Sequence, residues 1–364
     1  MLEFIREMPG QRAELAAFAE RAFFQSGKAV DFPSLLPKLY GPEADARPLH
    51  TLLLENGMPA GLFALQVSEF QIAGEPLRVG WIGTVCVLPE FRGRGHLAHL
   101  MEEADRQLRA QECALAVLGG QRQRYRRFGY ELGGTQWQFT VTARNLRELP
   151  EPEGVSVESL RKTDAAQAFE LWKAQPVLGP RTPQTFFQTL HSWGCTPLGV
   201  WKNGRLAGYA SANAQGQMME LCAQDAALLP PLLRACLAHR SELTVMLGPW
   251  PGPLQRALAG YAEHTLLAEN HSYRVLRWLP AARAAQALQR LHGTAAVSCR
   301  VPVAGEGTLE LRDGTCRWTE NPRQCGLSPA EAVRLLFGPD SHLVCPAPET
   351  TLPLPFMLPW LDGI

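Results

Sequence analysis

The chain has 364 residues, 46% of them apolar, with Lys+Arg and Asp+Glu balanced at 35 each. That composition buries several cores and excludes a disordered chain, while zero net charge gives no reason to expect nucleic acid as a partner. The nine cysteines are scattered without a CxxC pair, which argues against a zinc site or a disulfide framework.

Residues 11–25 have an amphipathic helical pattern, with Leu15, Phe18, Ala22 and Phe23 on one face. Two strand-like runs, His50–Leu54 and Ala60–Val67, flank an Asn56-Gly57 turn, and Ala73-Gly74 turns the chain into a third run, Arg78–Leu88. After Pro89 and a Gly-rich turn, Leu97, Leu100, Met101, Ala104 and Leu108 share one helical face. Ala114–Leu118 has the continuous apolar character of a buried strand. A brief helix over 121–128 then precedes a strand through Gln136–Val141. This order predicts a mixed sheet with helices packed against it, an α/β (α+β) class of fold.

Leu149-Pro-Glu-Pro-Glu-Gly154 reads as a linker. Beyond it the element order restarts: a strand at Val155–Leu160, helices at Asp164–Gln175 and Thr182–Ser192, and strands around Leu198–Trp201 and Leu206–Ser211. A helix at Leu228–His239 and a strand at Leu243–Gly248 follow. The repeat hints at internal duplication, yet it lacks the Gly-rich turn of the first half. Near residue 280 the character changes again, with helices at Ala281–Leu291 and Ser328–Phe337 around short strands at Gly307–Leu311 and Thr315–Thr319. The predicted regions are therefore 1–149, 150–279 and 280–364. No apolar run approaches the roughly 18 residues of a membrane span. The N-terminal MLEFIREMPGQRAELAAF lacks a secretory apolar core, so a soluble, cytoplasmic protein is expected.

The chemistry concentrates in Val85–Ala98, VCVLPEFRGRGHLA. A strand runs into Arg92-Gly93-Arg94-Gly95 and then a helix. Unpaired amides and the positive dipole end at a helix N-terminus suit a diphosphate, the glycines let the backbone approach it, and Arg92 and Arg94 add charge. Taken alone, such a turn is as readily a solvent loop. About thirty residues on, Tyr125-Arg-Arg-Phe-Gly-Tyr130 supplies a second element.

Together these two segments resemble the GNAT superfamily of acetyltransferases. Leu97, where the superfamily's phosphate motif has Gly or Ala, and Tyr125-x-Arg-Phe-Gly-Tyr130 are similar to the enhanced-intracellular-survival (Eis-like) branch. The resemblance implies tandem GNAT folds, the second degenerate, followed by a sterol-carrier-like α+β domain. It implies acetyl-CoA as co-substrate, no metal, and direct acetyl transfer to the primary amine of a small, aminoglycoside-like molecule or of lysine. Val85, Cys86 and Val87 would present backbone groups to the pantetheine arm, and Arg92, Gly93, Arg94, Gly95, His96, Leu97 and Ala98 would hold the diphosphate. Gly120 and Gln121 would flank the coenzyme. Because a departing thiolate of reference pKa near 8.5 should gain a proton, the Tyr125 hydroxyl, reference pKa near 10, would serve as general acid. Cys86, in a predicted strand, is not expected to act as a nucleophile.

The chain ends TLPLPFMLPWLDGI, an unusually apolar terminus. Its prolines favour a stiff, extended path, which reads as a strap docked on the body. The resemblance implies more: the terminal carboxylate of Ile364 would reach the active site as proton acceptor, with Asp362 as a rival. Among Arg122, Arg124, Arg126 and Arg127, a solvated helix edge near the coenzyme's ribose phosphate is the favoured reading over a nucleic-acid patch. Phe23, Phe24, Phe32 and Tyr40 are candidates for an acceptor pocket or for core. A homo-oligomer, often a hexamer in the family, is implied as well. The rival functions are a non-catalytic acyl-CoA or lipid binder and a tandem acyltransferase with a dedicated metabolite acceptor.

Overall fold

A computed structural model describes residues 1–24, 27–45, 47–293, 295–344 and 352–364. Cys345, Thr351 and the last residue of the helix predicted over 11–25 lie outside the described residues. Strand β1 (Leu2–Arg6) pairs with β2 (His50–Glu55), which turns at Asn56-Gly57 into β3 (Met58–Ile72) and, at Ala73-Gly74, into β4 (Glu75–Val87). Both turns place two consecutive residues at positive φ, a geometry whose twist matches that of paired strands. Between β1 and β2 lie α1 (Arg12–Phe24) and two four-residue helices, α2 (Phe32–Leu35) and α3 (Pro37–Tyr40). The short helices follow Pro33 and Pro37 at their first turns.

Helix α4 (His96–Ala110) carries the chain from β4 to the parallel strand β5 (Leu115–Leu118). It buries Leu100, Met101, Ala104 and Leu108 on one face of the sheet. Helix Trp278–Leu291 covers the opposite face, packing Ala281, Ala285 and Leu288 with Leu77, Val79 and Trp81. The remaining strands are β6 (Glu131–Thr142), β7 (Val155–Ser159), β8 (Val177–Leu178), β9 (Cys195–Lys202), β10 (Arg205–Asn213), β11 (Gln217–Ala223), β12 (Glu242–Leu247) and β13 (His264–Val275). All of them join one 13-stranded mixed sheet of order β1-β2-β3-β4-β5-β13-β6-β12-β11-β10-β9-β7, with β8 on β3. Strands β14 (Cys299–Val303), β15 (Gly307–Arg312) and β16 (Thr315–Glu320) form a separate antiparallel sheet. No helix among the described residues is long and apolar enough to cross a membrane.

The sequence pattern did not reveal β13, which is central: it pairs with β5 over Ser272–Val275 and with β6 along its length. Its first residues are exposed while Asn270–Tyr273 are buried on both faces, so neither strict alternation nor a continuous apolar run marks it.

The apolar terminus is docked, with Leu354, Phe356, Leu358 and Leu361 fully buried. Main-chain bonds fix its path: Leu354 N–H donates to Leu336 O and Thr135 N–H to Phe356 O, each at 2.8 Å. Leu358 N–H donates to Asn270 Oδ1 (3.1 Å), and the Trp360 indole to Gln136 Oε1 (2.7 Å). Near its end, Arg181 binds two carboxylates at once: Asp362 through Nε (2.7 Å) and Nη2 (3.2 Å), and Glu220 through Nη1 (2.8 Å) and Nη2 (2.5 Å). Tyr209 donates to the same Glu220 at 2.7 Å. All three charges are buried, so the guanidinium is the counterion that makes their burial tolerable. Replacing Arg181 with Leu strands both carboxylates and should cost about 3–5 kcal/mol in urea unfolding.

Candidate active site

The site begins where β4 and β5 part. The two strands pair in parallel from Val79↔Leu115 to Ile82↔Leu118, where β5 ends, while β4 runs on to Val87. Residues 83–87 therefore keep β3 on one side and have no β5 partner on the other. Within this stretch β4 bulges: Leu62 opposes Cys86 but Ala64 opposes Gly83, so Phe63 faces two residues, Thr84 and Val85. Thr84 takes φ +54, a left-handed conformation that is strained for a β-branched residue and persists only where its surroundings enforce it.

A cleft of about 670 Å³ opens along this stretch, lined by Val85, Cys86, Val87, Arg92, Gly93, Gly95, His96, Leu97 and Gln121. These are nine of the residues singled out in the sequence. Lys28, Phe91, Arg124, Arg127, Ala22 and Phe23 complete it. Lys28 carried no sequence signal, whereas Arg124 and Arg127 belong to the arginine cluster near the expected ribose phosphate. That cluster divides, since Arg122 and Arg126 both engage the buried carboxylate of Glu131.

At one end of the cleft Gly93 (φ +75) and Gly95 (φ +84) turn the chain into α4, and a Cβ on either would meet no atom within 4 Å. Gly95 caps α4 without a side-chain bond, so the first amides of the helix have no intrahelical acceptor. His96, at the first helical position and lining the cleft, is buried, and its Nδ1 has no partner among the described residues. An open glycine turn and the free amides of the first helical turn fit an anionic group such as a diphosphate. Arg94 does not line the cleft: it donates to Glu55 Oε2 (2.7 Å) and Glu90 O (2.9 Å) and sits over the Phe91 ring, bracing the turn from outside. Ala98 lies in the first turn of α4, its N–H donating to Gly95 O at 2.8 Å.

Tyr125 is buried and ends the short helix α5 (Arg122–Tyr125). Its ring packs against Gly120, where a Cβ would come within 2.7 Å of Cε2. Burial pushes its hydroxyl pKa up, with the Arg124 guanidinium opposing, so it carries its proton at neutral pH. Burial likewise raises the Cys86 thiol to about 12, which removes it as a nucleophile.

The far end of the chain arrives on the same strand. A Cβ on Gly83 would lie 2.6 Å from Ile364 O and 2.7 Å from its carboxyl carbon, so only glycine admits the terminal carboxylate beside the bulge. Buried Lys38 donates through Nζ to Leu361 O and, at 2.7 Å, to Gly363 O, clamping the tail. Burial lowers the Lys38 pKa to about 7, opposed by nearby Asp362. Asp362 itself is committed to Arg181 and is not free to act as a base. Of the four candidate pocket aromatics, Phe23 lines the cleft, Phe32 is buried between Phe23 and Tyr40, and Phe24 is largely exposed.

Residues 34–133 match the family described as acetyltransferase (GNAT) domain, whose members use acyl-CoA and act on amine acceptors. No curated protein matches the chain in sequence. Among solved structures it is similar to a GCN5-related N-acetyltransferase from Anabaena variabilis (14% identity, 100% of both chains, TM-score 0.68). It is similar also to one from Kribbella flavida (19% identity, 92% of this chain and 88% of that one, TM-score 0.61). A third is Eis1 from Mycobacterium abscessus (14% identity, 98% and 99%, TM-score 0.62). These likenesses show the fold.

Replacing Gly95 with Val forces a β-branched residue into a left-handed conformation, at about 1–3 kcal/mol of strain. The displaced amides should weaken acyl-CoA binding by about tenfold or more, read by titration calorimetry.

Proposed function

We propose that the protein is an acetyl-CoA-dependent N-acetyltransferase of the Eis-like kind, acting on the primary amine of a small molecule or of lysine. The observation that carries this reading is convergence on one strand: the open edge of β4 at Val85–Val87, the α4 turn at one end, and the Ile364 carboxylate at Gly83. A lipid carrier has no need of a terminal carboxylate seated against a bulged strand.

Acetyl-CoA, when bound, supplies an activated thioester. Arg92, Gly93, Gly95, His96 and Leu97 would hold its diphosphate, with Arg124, Arg127 and Lys28 supplying further positive charge to the same cleft. The unpaired edge of Val85–Val87 offers backbone groups to its pantetheine arm. Tyr125 holds a proton at its hydroxyl for the departing sulfur. The Ile364 carboxylate places a negative charge where an ammonium must dock, and the buried Lys38 clamp keeps it there.

The layout proposed for the chain is a catalytic GNAT region over 1–149, a degenerate GNAT-like region over 150–279, and a sterol-carrier-like region over 280–364. The separate three-stranded sheet β14–β16 and the similarity in fold to Eis1 along nearly the whole chain support it. In this layout β13, from the second region, completes the first region's sheet between β5 and β6, so the two interlock. A cytoplasmic homo-oligomer belongs to the same proposal.

The test is CoA release from acetyl-CoA with a panel of amines, including lysine and an aminoglycoside. Binding of acetyl-CoA with no release above background would make the protein a binder instead. Tyr125→Phe should lower kcat by about 10²–10⁴-fold with acetyl-CoA affinity nearly intact; unchanged turnover removes Tyr125 from the chemistry. A short extension beyond Ile364 should impair turnover because the chain end is buried against Gly83. A fully active fusion would reduce the tail to a strap.

A further inference from the structure

The fork at which β4 leaves β5 has a counterpart in the second half of the chain. Strands β11 and β12 pair in parallel only at Gln217↔Thr244 and Met218↔Val245, and β11 then runs on to Ala223 with β10 as its sole partner strand among the described residues. Beside each fork the parallel strand carries one extra residue against its antiparallel neighbour. Leu62 faces Cys86 but Ala64 faces Gly83, and Ser211 faces Glu220 but Ala212 faces Met218. One helix joins the two strands of each pair, α4 in the first and Leu229–Leu237 in the second. The outer partners match as well, since β5 pairs antiparallel with β13 and β12 with β6.

The second fork is filled by the chain itself. Where the α4 turn leaves amides open, the turn after β11 carries Asp225, whose carboxylate accepts from the Ala227 amide at 2.9 Å. An anion of the chain's own at that turn repels a phosphate. On the open strand, Glu220 lies next to the extra residue and accepts from Arg181 Nη1 at 2.8 Å and Nη2 at 2.5 Å. The same guanidinium holds Asp362 through Nε (2.7 Å) and Nη2 (3.2 Å). A Cβ on Gly179 would come within 2.3 Å of Asp362 Oδ2. The glycine two residues before Arg181 therefore leaves room for that carboxylate, as Gly83 does for the terminal one.

Four residues carry the tail from one fork to the other. Leu361 packs with Tyr209 and Cys222 in the second region, and Asp362 sits on Arg181. Gly363 lies against Trp81 of β4, where a Cβ would meet the ring at 3.0 Å, and Ile364 ends at Gly83. Lys38 ties the carbonyls on either side of Asp362 to the first region. Two extended residues span at most about 7 Å, so a displacement of Asp362 reaches the terminal carboxylate with little slack.

We infer that the fork between β11 and β12 is the seat of the chain end, and that Arg181 and Glu220 within it are positioning residues for the Ile364 carboxylate. The consequence for turnover rests on the acetyltransferase reading above; the seat itself does not. A guanidinium suits this place because its planar donors grip two carboxylates at once, whereas an ammonium is a point charge. Glu220, which also accepts from the Tyr209 hydroxyl at 2.7 Å, fixes the plane in which Arg181 meets Asp362.

The test compares wild type, Arg181→Lys, Glu220→Gln and a control for general loosening, Leu258→Ala, which hollows a core that contains no part of the tail. Release of Ile364 by carboxypeptidase is measured beside the steady-state constants for acetyl-CoA and for the best amine of the panel. Arg181→Lys keeps the charge but cannot hold both carboxylates, and Glu220→Gln keeps the shape. Both should release Ile364 about tenfold or more faster than wild type, because cleavage follows the population of the opened chain end. Both should also lower kcat/KM for the amine by about tenfold, with KM for acetyl-CoA unchanged. Leu258→Ala should match wild type in each measurement. Release no faster in Arg181→Lys and Glu220→Gln than in wild type, or equally fast in Leu258→Ala, overturns the seat. Faster release with amine turnover unchanged overturns the positioning role. If wild type acetylates no amine, the acetyltransferase reading fails and takes the positioning role with it, while Ile364 release still decides the seat.

Discussion

The parting of β4 from β5 after Ile82 is the constraint around which the molecule is arranged. Two parallel strands that stayed paired would leave no backbone exposed in the middle of a buried sheet. Ending β5 at Leu118 while β4 continues to Val87 opens one edge of a central strand to a cleft. An exposed backbone edge inside a protein must find other partners, and here three features meet it: the glycine turn into α4, the bulge at Thr84 and the chain terminus. The strain at Thr84 is held by the pairing of β4 with β3 on either side of the bulge.

The terminus is the second half of that arrangement. A carboxylate cannot be seated beside a strand unless its approach is fixed over many residues, and the tail achieves this with buried apolar side chains and main-chain bonds to β6 and to the Leu336 carbonyl. Arg181 and Lys38 finish the placement from opposite chemical directions. Arg181 neutralises Asp362, and Lys38 binds the carbonyls of Leu361 and Gly363. The cleft therefore collects cations at Lys28, Arg92, Arg124 and Arg127, while the terminal carboxylate sits at Gly83 on the same strand.

Much of this was legible in the sequence because it rests on local chemistry. Turns at Asn56-Gly57 and Ala73-Gly74 must adopt positive φ, and Asn and Gly tolerate it. Helix α4 has a clear apolar face, and Arg92-Gly93-Arg94-Gly95 needs its glycines wherever it lies. Nine of the residues singled out around the turn line the cleft. Arg94 shows the limit: its place in the turn suggests a phosphate ligand, but Glu55, which closes a strand nearly forty residues earlier, draws it away. Strand β13 shows another, since a strand whose burial comes from neighbours on both sides carries no period of its own.

What the sequence alone determined was the kind of local structure at each turn and helix, the anion-ready turn before α4 and the apolar character of the tail, because these depend on a few adjacent residues. What only the tertiary structure decided was which distant groups meet. It brought Ile364 to Gly83, Asp362 to Arg181, Lys38 to the tail's carbonyls, and Glu7 through His50 to Tyr40. Such pairings are set by sheet order and burial over hundreds of residues. A buried charge or strained residue is stable only once its far partner has been delivered, so no local window contains the information.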